Sequence, residues 1–348
     1  MVSVSHDKLR NLSYTLFERV GLPPDEARLI SDHLVESSLV GHDSHGIIRL
    51  PGYIRSMQQG YRSWEASRVV RETSTTAVID AGGCHGIVAA YRAMLLAIEK
   101  AKAHTFGAVG IHRCGHTGRL GAYPPMAAEA GMIGVVLLNG GSRFTAPFGG
   151  TGRRLPPNPI SIGVPRKHGP PVLLDITTSV VAGGKVDFLE AKGEQVPEGW
   201  MIDREGKSVT DPVRLREEPL AAVLPLGGAF GHKGFGLGFM IDAIAGSLTW
   251  AGCSCENPTR GGSGFLVLAI RIEDFIDVDT FTEEVERLTA WVKSSPRLPG
   301  VEEIYIPGEI EERMKERRLI EGIPVPEKTW GEIVGVAEEL RVGIPEVL

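Results

Sequence analysis

A chain of 348 residues, 42% hydrophobic and 23% charged, is long enough for about two domains and has the makeup of an ordinary globular protein. Its net charge of −6, with no long basic run, excludes nucleic acid and anionic membrane as expected partners. Glycine is the outlier, 44 of 348 residues against a usual ~7%, and it is dispersed with no G-X-Y period, which excludes collagen and leaves tight turns or loops that approach a ligand closely.

In chain order, "DKLRNLSYTLFERVG" spaces Leu9, Leu12, Leu16 and Val20 at helical intervals and stops at Gly21. "PPDEARLISDHLVESSLVG" repeats the form and leads into "HDSHG". "TTAVIDA" reads as a strand and "GIVAAYRAMLLAIEKAKAH" as a long helix of small residues. "GAVGIHR" and "MIGVVLLN" read as buried strands, with "GAYPPMAAEAG" as a helix between them. "PVLLDI" and "GFLVLAIRI" are further central strands. The Gly- and Pro-rich region from 140 to 235 predicts long loops. Beyond about 275 the pattern is helical and charged again, in "TEEVERLTAWVKSS", "GEIEERMKERRL" and "TWGEIVGVAEELR". Strand, helix, strand at this spacing predicts an α/β fold. The two helical ends are expected to form one discontinuous domain, residues 1–75 with 276–348, around an α/β cofactor-binding domain, residues 76–275.

The N-terminus has no long apolar segment, so no secretory signal is expected, and the longest apolar runs are too short for a membrane span. Cys84, Cys114, Cys253 and Cys255 include no C-x-x-C pair, which fits reduced thiols in a cytoplasmic protein. The common signatures fail. No G-x-G-x-x-G follows a strand, and "GFGLG" at 234–238 only approaches it. Gly206-Lys207-Ser208 lacks the earlier P-loop glycine, Met201 standing in its place. "GGSGF" at 261–265 is no G-x-S-x-G elbow, and H-E-x-x-H is absent.

Four segments collect groups able to do chemistry. In "VGHDSHGIIRLPGY", a helix running from His45 would put His45, Arg49 and Tyr53 on one face, with Pro51 able to kink it. An arginine fork grips a carboxylate, an imidazole exchanges a proton with the neighbouring atom, and Ser44 can orient the ring. A helix start capped by Asp43 or Ser44 explains the same residues. His42 and His45 form an H-x-x-H that would need a third metal ligand, which nothing nearby supplies, so no metal is expected. In "IHRCGHTGRLGAYPP", His116 lies past a strand end, with Gly115 and Gly118 leaving room around it. In "LLDITTSVVAGGK", Asp175, Thr177, Thr178 and Ser179 stand at a strand-to-helix turn that suits a phosphate or ribose, or a capped helix. Lys233 lies in a glycine-rich turn before an apolar helix, placed to neutralise a phosphate.

These segments occur in a fixed order with "APFGG", "NPISIGVP", "GWMIDREGKSVTDP", "GHKGFGLGFMIDAIAGSL" and "YIPGEIE". In that combination, from about residue 5 to 335, the chain resembles the type-2 malate/L-lactate/L-sulfolactate dehydrogenase family, which also includes ureidoglycolate dehydrogenase, diketogulonate reductase and piperideine-carboxylate reductase. The resemblance implies a nicotinamide-dinucleotide fold distinct from the Rossmann fold, NAD or NADP as cofactor, and a homodimer or dimer-based assembly. It implies reduction of a small 2-oxo acid to a 2-hydroxy acid, or of a cyclic 2-imino acid to an amino acid. A binding protein of the same fold, non-catalytic or metal-dependent, is a more remote alternative. By position, Ser44, Arg49 and Tyr53 match substrate-binding residues. His116 and His45 match histidines to which proton transfer is assigned in different members; His116 ranks first because His45 sits beside Arg49. Asn139, Gly140, Gly141, Ser142, Asn158, Asp175, Thr177, Thr178 and Lys233 match the cofactor side. The chain departs from the family at "LPPNP", where prolines stand at the usual Gly and Thr positions before Asn158.

Overall fold

The computed structural model describes residues 1–256 and 263–347; Gly261 and Gly262 of the "GGSGF" segment lie outside them. The chain begins with a short strand β1 (Val2–Val4), then α1 (His6–Arg19) and α2 (Pro24–Leu39). Gly21, at φ +90°, takes the left-handed conformation that ends α1, and proline with Asp25 and Glu26 opens α2. After α3 (Leu50–Gln58) come β2 (Arg68–Glu72), β3 (Thr76–Asp80), α4 (Gly86–His104), β4 (Phe106–Cys114), α5 (Pro124–Glu129), β5 (Met132–Asn139), β6 (Ile160–Val164) and β7 (Val172–Ile176). Next are α6 (Gly183–Lys192), three two-residue strands β8 (Met201–Ile202), β9 (Ser208–Val209) and β10 (Ala222–Val223), α7 (His232–Ile241) and β11 (Ser263–Arg271). The chain closes with α8 (Val278–Lys293), α9 (Glu309–Glu321), β12 (Ile323–Val325) and α10 (Glu327–Glu339).

Seven strands form the central sheet in the order β2-β3-β4-β11-β5-β6-β7. Its strands alternate as half-buried strands must. On β5, Met132 and Val136 join the core beneath α4, while Leu137 packs with Ile241 and Ala245 on the opposite face. Gly107 lets α4 lie close on the sheet, since a Cβ there would stand 1.9 Å from the Ala97 carbonyl oxygen. A second core joins α1, α2, α3 and α10 through Leu9, Leu16, Ile30, Leu34, Ile54 and Ile333. The chain ends meet there, β1 pairing antiparallel with β12. The region from 140 to 235 holds more regular structure than a loop reading expects: α6 and the sheet β10-β8-β9 enclose a small core of Phe144, Val186, Met201 and Val223.

The sheet order decides where the site forms. β3 runs parallel to β4, and both β4 and β5 run antiparallel to β11 between them. β7 is antiparallel to β6, which is antiparallel to β5. The carboxyl ends of β3, β4, β5 and β7 therefore lie at one end of the sheet. Cys114 and Asn139 flank Ser263 and Gly264 there, about 10 Å apart at two strand spacings. Open α/β sheets bind ligands beyond such ends.

Candidate active site

The segment from Gly41 to Arg49 is not one helix. Asp43–His45 and Ile47–Arg49 are separate 3₁₀ turns divided by Gly46, and α3 begins only at Leu50 with Pro51 in its first turn. The break has a steric reason. A Cβ on Gly46 would lie 2.1 Å from Ser38 Oγ, so the backbone runs against α2, where Ser38 Oγ accepts the Ile47 amide at 2.9 Å. The even face expected for His45, Arg49 and Tyr53 thus gives way to a folded turn.

Asp43 anchors that turn to α9. Its carboxylate takes both ends of the Arg318 guanidinium, at 2.6 Å (Oδ1 to Nη1) and 3.0 Å (Oδ2 to Nη2), and Arg318 also donates to the Ser38 carbonyl. Arg318 is 7% exposed. Arg318→Ala leaves Asp43 without its cation beside a buried carbonyl and is expected to destabilise the fold by about 3 kcal/mol. Urea unfolding of the variant against the parent measures it.

The turn, α3 and the loop after β4 bring the ionisable rings together. Tyr53 Oη and His116 Nδ1 are 2.5 Å apart, although 63 residues separate them in sequence. The His45 and His116 rings stack at 5.4 Å, and Ser44 Oγ lies 2.9 Å from His45 Nδ1. Arg49 Nε donates to the Ser44 carbonyl at 2.6 Å, which leaves its terminal nitrogens to face Gly184 at the start of α6. A Cβ on Gly184 would stand 2.7 Å from Arg49 Nη2 and 3.0 Å from Ser44 Cβ. His85, the cap of α4, meets the Tyr53 ring edge-on at 4.5 Å.

Burial first and the neighbouring positive charges second hold these imidazoles neutral. His45 is held down to about 3, with His116 and Arg49 following burial as causes. His85 is likewise held down to about 3. His116 is held down to about 4 by burial among the surrounding groups and then by Arg49, although the residue as a whole is exposed at the surface. Burial pushes the Tyr53 phenol up. The result is a neutral imidazole, hydrogen-bonded to a neutral phenol, near an uncompensated guanidinium. Such a set binds an anion and exchanges one proton.

Below it, His33 on α2 accepts the Arg119 amide at 2.9 Å and stacks on Tyr123 at 5.7 Å. Asp175, next to the carboxyl end of β7, accepts the Gly121 amide at 2.7 Å. Burial raises the Asp175 carboxyl above its usual range, with Arg119 acting in the opposite sense.

Beyond the ends of β5 and β11 lies a pocket of ≈ 270 Å³. Asn139, Gly140, Gly141, Arg143, Pro156 and Gly252–Cys255 line it. That volume sits near the lower limit of small-molecule sites, roughly 300–1,000 Å³, and suits part of a dinucleotide. Gly141, at φ +90° with nothing within 4 Å of a built Cβ, offers open backbone, and the Arg143 side chain offers a cation for a phosphate. Ser142 is exposed beside them. The asparagines expected on the cofactor side turn inward. Asn139 Nδ2 and Asn158 Nδ2 each donate to the buried Asp242 carboxylate at 3.0 Å, as Ser254 does through its amide and hydroxyl. Asn158 Oδ1 is buried without a hydrogen-bond partner among the described residues. Thr178 Oγ1 donates to the Pro157 carbonyl and Thr177 Oγ1 to the Ser179 carbonyl, so these hydroxyls shape the turn. Lys233 lies within the first turn of α7, exposed, with Nζ 5.5 Å from the Phe230 ring centroid, instead of in a preceding loop.

His42 is 3.4 Å from Glu311, while His45 faces His116, so the H-x-x-H pair diverges. Among the described residues no group of three or more His, Cys, Asp or Glu is arranged to hold a metal ion. Sequence reasoning missed His85, Arg119, Gly184 and Asp242. His85 had a local signal, since "GGCHG" between strand and helix repeats the glycine-flanked pattern of His116. Asp242, inside an apolar helix, had none.

The family described as malate/L-lactate dehydrogenase matches residues 4–334. A malate dehydrogenase of Pyrococcus horikoshii is 38% identical across 99% of this chain and 96% of its own. An L-sulfolactate dehydrogenase of Methanothermobacter thermautotrophicus is 37% identical across 93% of each. The crystal structure of malate dehydrogenase from Entamoeba histolytica superposes with a TM-score of 0.92 at 30% identity, covering 99% of both chains. A Δ1-piperideine-2-carboxylate reductase from Pseudomonas syringae matches less closely, with a TM-score of 0.79 at 25% identity over 97% of this chain and 100% of that one.

Proposed function

This chain belongs to the malate/L-lactate dehydrogenase family, and from that premise we propose that it moves a hydride between NAD(P)H and the α-carbon of a small 2-oxo acid at the site where Arg49, His45, Tyr53 and His116 converge. Dehydrogenases of this family use nicotinamide cofactors, and a bound nicotinamide supplies or accepts the hydride. Gly140, Gly141, Arg143 and the 252–255 segment are the residues that would hold its carrier. The Asn139–Asp242–Asn158 knot fixes the loops around it.

The observation that carries the reading is the Tyr53–His116 contact beside Arg49. Arg49 takes the substrate carboxylate. With His116 Nδ1–H donating to the phenol oxygen, Nε2 faces the reacting oxygen. Burial is the larger cause that keeps His116 neutral and Arg49 the second; a substrate carboxylate on Arg49 offsets the second and so favours the protonated ring that reduction needs. His45, fixed by Ser44, walls the site and keeps the carboxylate away from water. Activity assays with NADH and NADPH against a panel of 2-oxo acids and cyclic imines test the reading. Turnover of cyclic imines alone would replace it.

The sign of the pH dependence follows. In the free protein His116 protonates only near pH 4. Oxidation of a hydroxy acid needs the neutral ring. Its kcat/KM is therefore expected to stay level from about pH 8 down to about pH 5, where an unperturbed histidine would cause a fall from about 6.5. A pH–rate profile with its break near 6.5 would remove His116 from this role.

The homodimer reading is supported by apolar side chains left exposed on and after α7, Phe239, Met240, Leu248 and Trp250 among them. No helix among the described residues is long and apolar enough to cross a membrane, and a cytoplasmic location fits the free state of all four cysteines.

A further inference from the structure

His116 stands on a stretch with no regular backbone structure, residues 115–119, between β4 and the turn at Leu120–Ala122. Connecting segments are the mobile parts of a fold, whereas a proton carrier must be placed to within about 0.5 Å. Three contacts hold this stretch from its two flanks. Before the ring, the Gly115 amide donates to the Cys84 carbonyl at 2.9 Å. After it, Tyr123 Oη donates to the Thr117 carbonyl, and His33 Nε2 accepts the Arg119 amide at 2.9 Å. His33 and Tyr123 stack on one another at 5.7 Å with their planes 26° apart, so the two grips form one unit. Gly118 takes φ +67°, and a Cβ there would lie 2.1 Å from His33 Nε2, so the backbone presses directly on the imidazole. Burial, and after it the charge of Arg119, keep the His33 ring neutral; with Nε2 accepting, its hydrogen is on Nδ1. His33 and Tyr123 are both buried, and neither is among the groups assigned above to substrate, cofactor or proton exchange. The helix that carries His33 also carries Ser38, whose Oγ accepts the Ile47 amide beyond His45. One helix thus anchors both histidine segments at points about 7.5 Å apart along its axis.

We propose that His33 is a positioning residue: from α2, with Tyr123 as the second jaw, it clamps the segment after His116 and so holds that ring on Tyr53 and against His45. The inference rests on the reading of His116 as the proton carrier. Without the clamp the segment slackens and the ring leaves its place, and a displacement of about 1 Å at a reacting group lowers turnover by up to about 10²-fold.

His33→Leu removes the acceptor and keeps an apolar side chain in the core. With the full chain and its preferred reduced cofactor, kcat for a 2-oxo acid is expected to fall by about 10–10²-fold, while KM and cofactor affinity stay within about threefold of the parent. His33→Gln, whose side-chain oxygen accepts the Arg119 amide in place of Nε2, is expected to recover most of that loss. Tyr123→Phe keeps the stack and loses only the bond to Thr117, so it is expected to lower kcat by a smaller factor. A second readout needs no turnover. The His116 ring is set among Arg49, His45, His85 and Tyr53 and is held down to about 4. Followed by NMR, its titration is expected to move toward about 6.5 in His33→Leu and to stay in place in His33→Gln. Parental kcat in His33→Leu, or an equal loss in His33→Leu and His33→Gln, overturns the assignment. Where His33→Leu fails to fold, Tyr123→Phe decides: parental kcat with an unmoved His116 titration overturns it as well. Absence of turnover of any 2-oxo acid by the parent with either cofactor overturns the functional reading instead, and the ring titration still decides whether His33 holds His116.

Discussion

His116→Ala is expected to lower kcat by about 10²–10⁴-fold, the usual contribution of a positioned general acid or base. The ring sits on Tyr53 Oη at 2.5 Å and against His45 at 5.4 Å, so its removal takes away the proton carrier while the substrate arginine stays in place. KM for the 2-oxo acid is expected to change far less than kcat. Steady-state kinetics of the purified variant, with cofactor binding followed by fluorescence, measures both. Near-parental kcat in His116→Ala, with a large loss in His45→Ala, would transfer proton exchange to His45.

Arg49→Ala is expected to act on the other parameter. Loss of a charge-assisted contact worth about 1.5–3 kcal/mol raises KM for the 2-oxo acid by roughly 10–150-fold. Because Arg49 also depresses the His116 pKa, the variant is expected to show the break in its pH profile at higher pH than the parent. A structural role alone would not move that break. Cofactor affinity collapsing while substrate affinity holds would contradict the assignment. Arg49→Lys is expected to recover only part of the loss, since lysine offers a point charge where the carboxylate meets a planar fork.

Much of this was legible in the sequence, and particular elements show why. α4 and β5 coincide with the segments read as a helix and a buried strand. Both are long, strongly patterned and bounded by turn residues, so local periodicity suffices. The departures occur where a backbone contact overrode the local pattern. The expected helix through His45 and Arg49 breaks at Gly46 because Ser38 on α2 occupies the space of a side chain there. Lys233 was expected in a loop, yet α7 starts one residue earlier, at His232. The α6 segment and the strands near Met201, Ser208 and Ala222 are short and weakly patterned, and only their shared core around Phe144 and Val186 gives them a reason to form.

By itself the sequence determined the long, strongly patterned helices and strands such as α1, α2, α4, β4 and β5, the family resemblance, and the residue types gathered at Ser44–Tyr53 and at His116, because these depend on side-chain period and local spacing. Only the tertiary structure decided which groups meet. β11, late in the chain, inserts between β4 and β5 and so sets the distance between the histidine loop and the glycine pocket. Packing then paired Tyr53 with His116, tied Asp43 to Arg318, turned Asn139 and Asn158 inward to Asp242, and left Arg119 Nε without a hydrogen-bond partner among the described residues. The partner of a buried polar group is whatever the fold brings within about 3 Å, and residues far apart in the chain supply it.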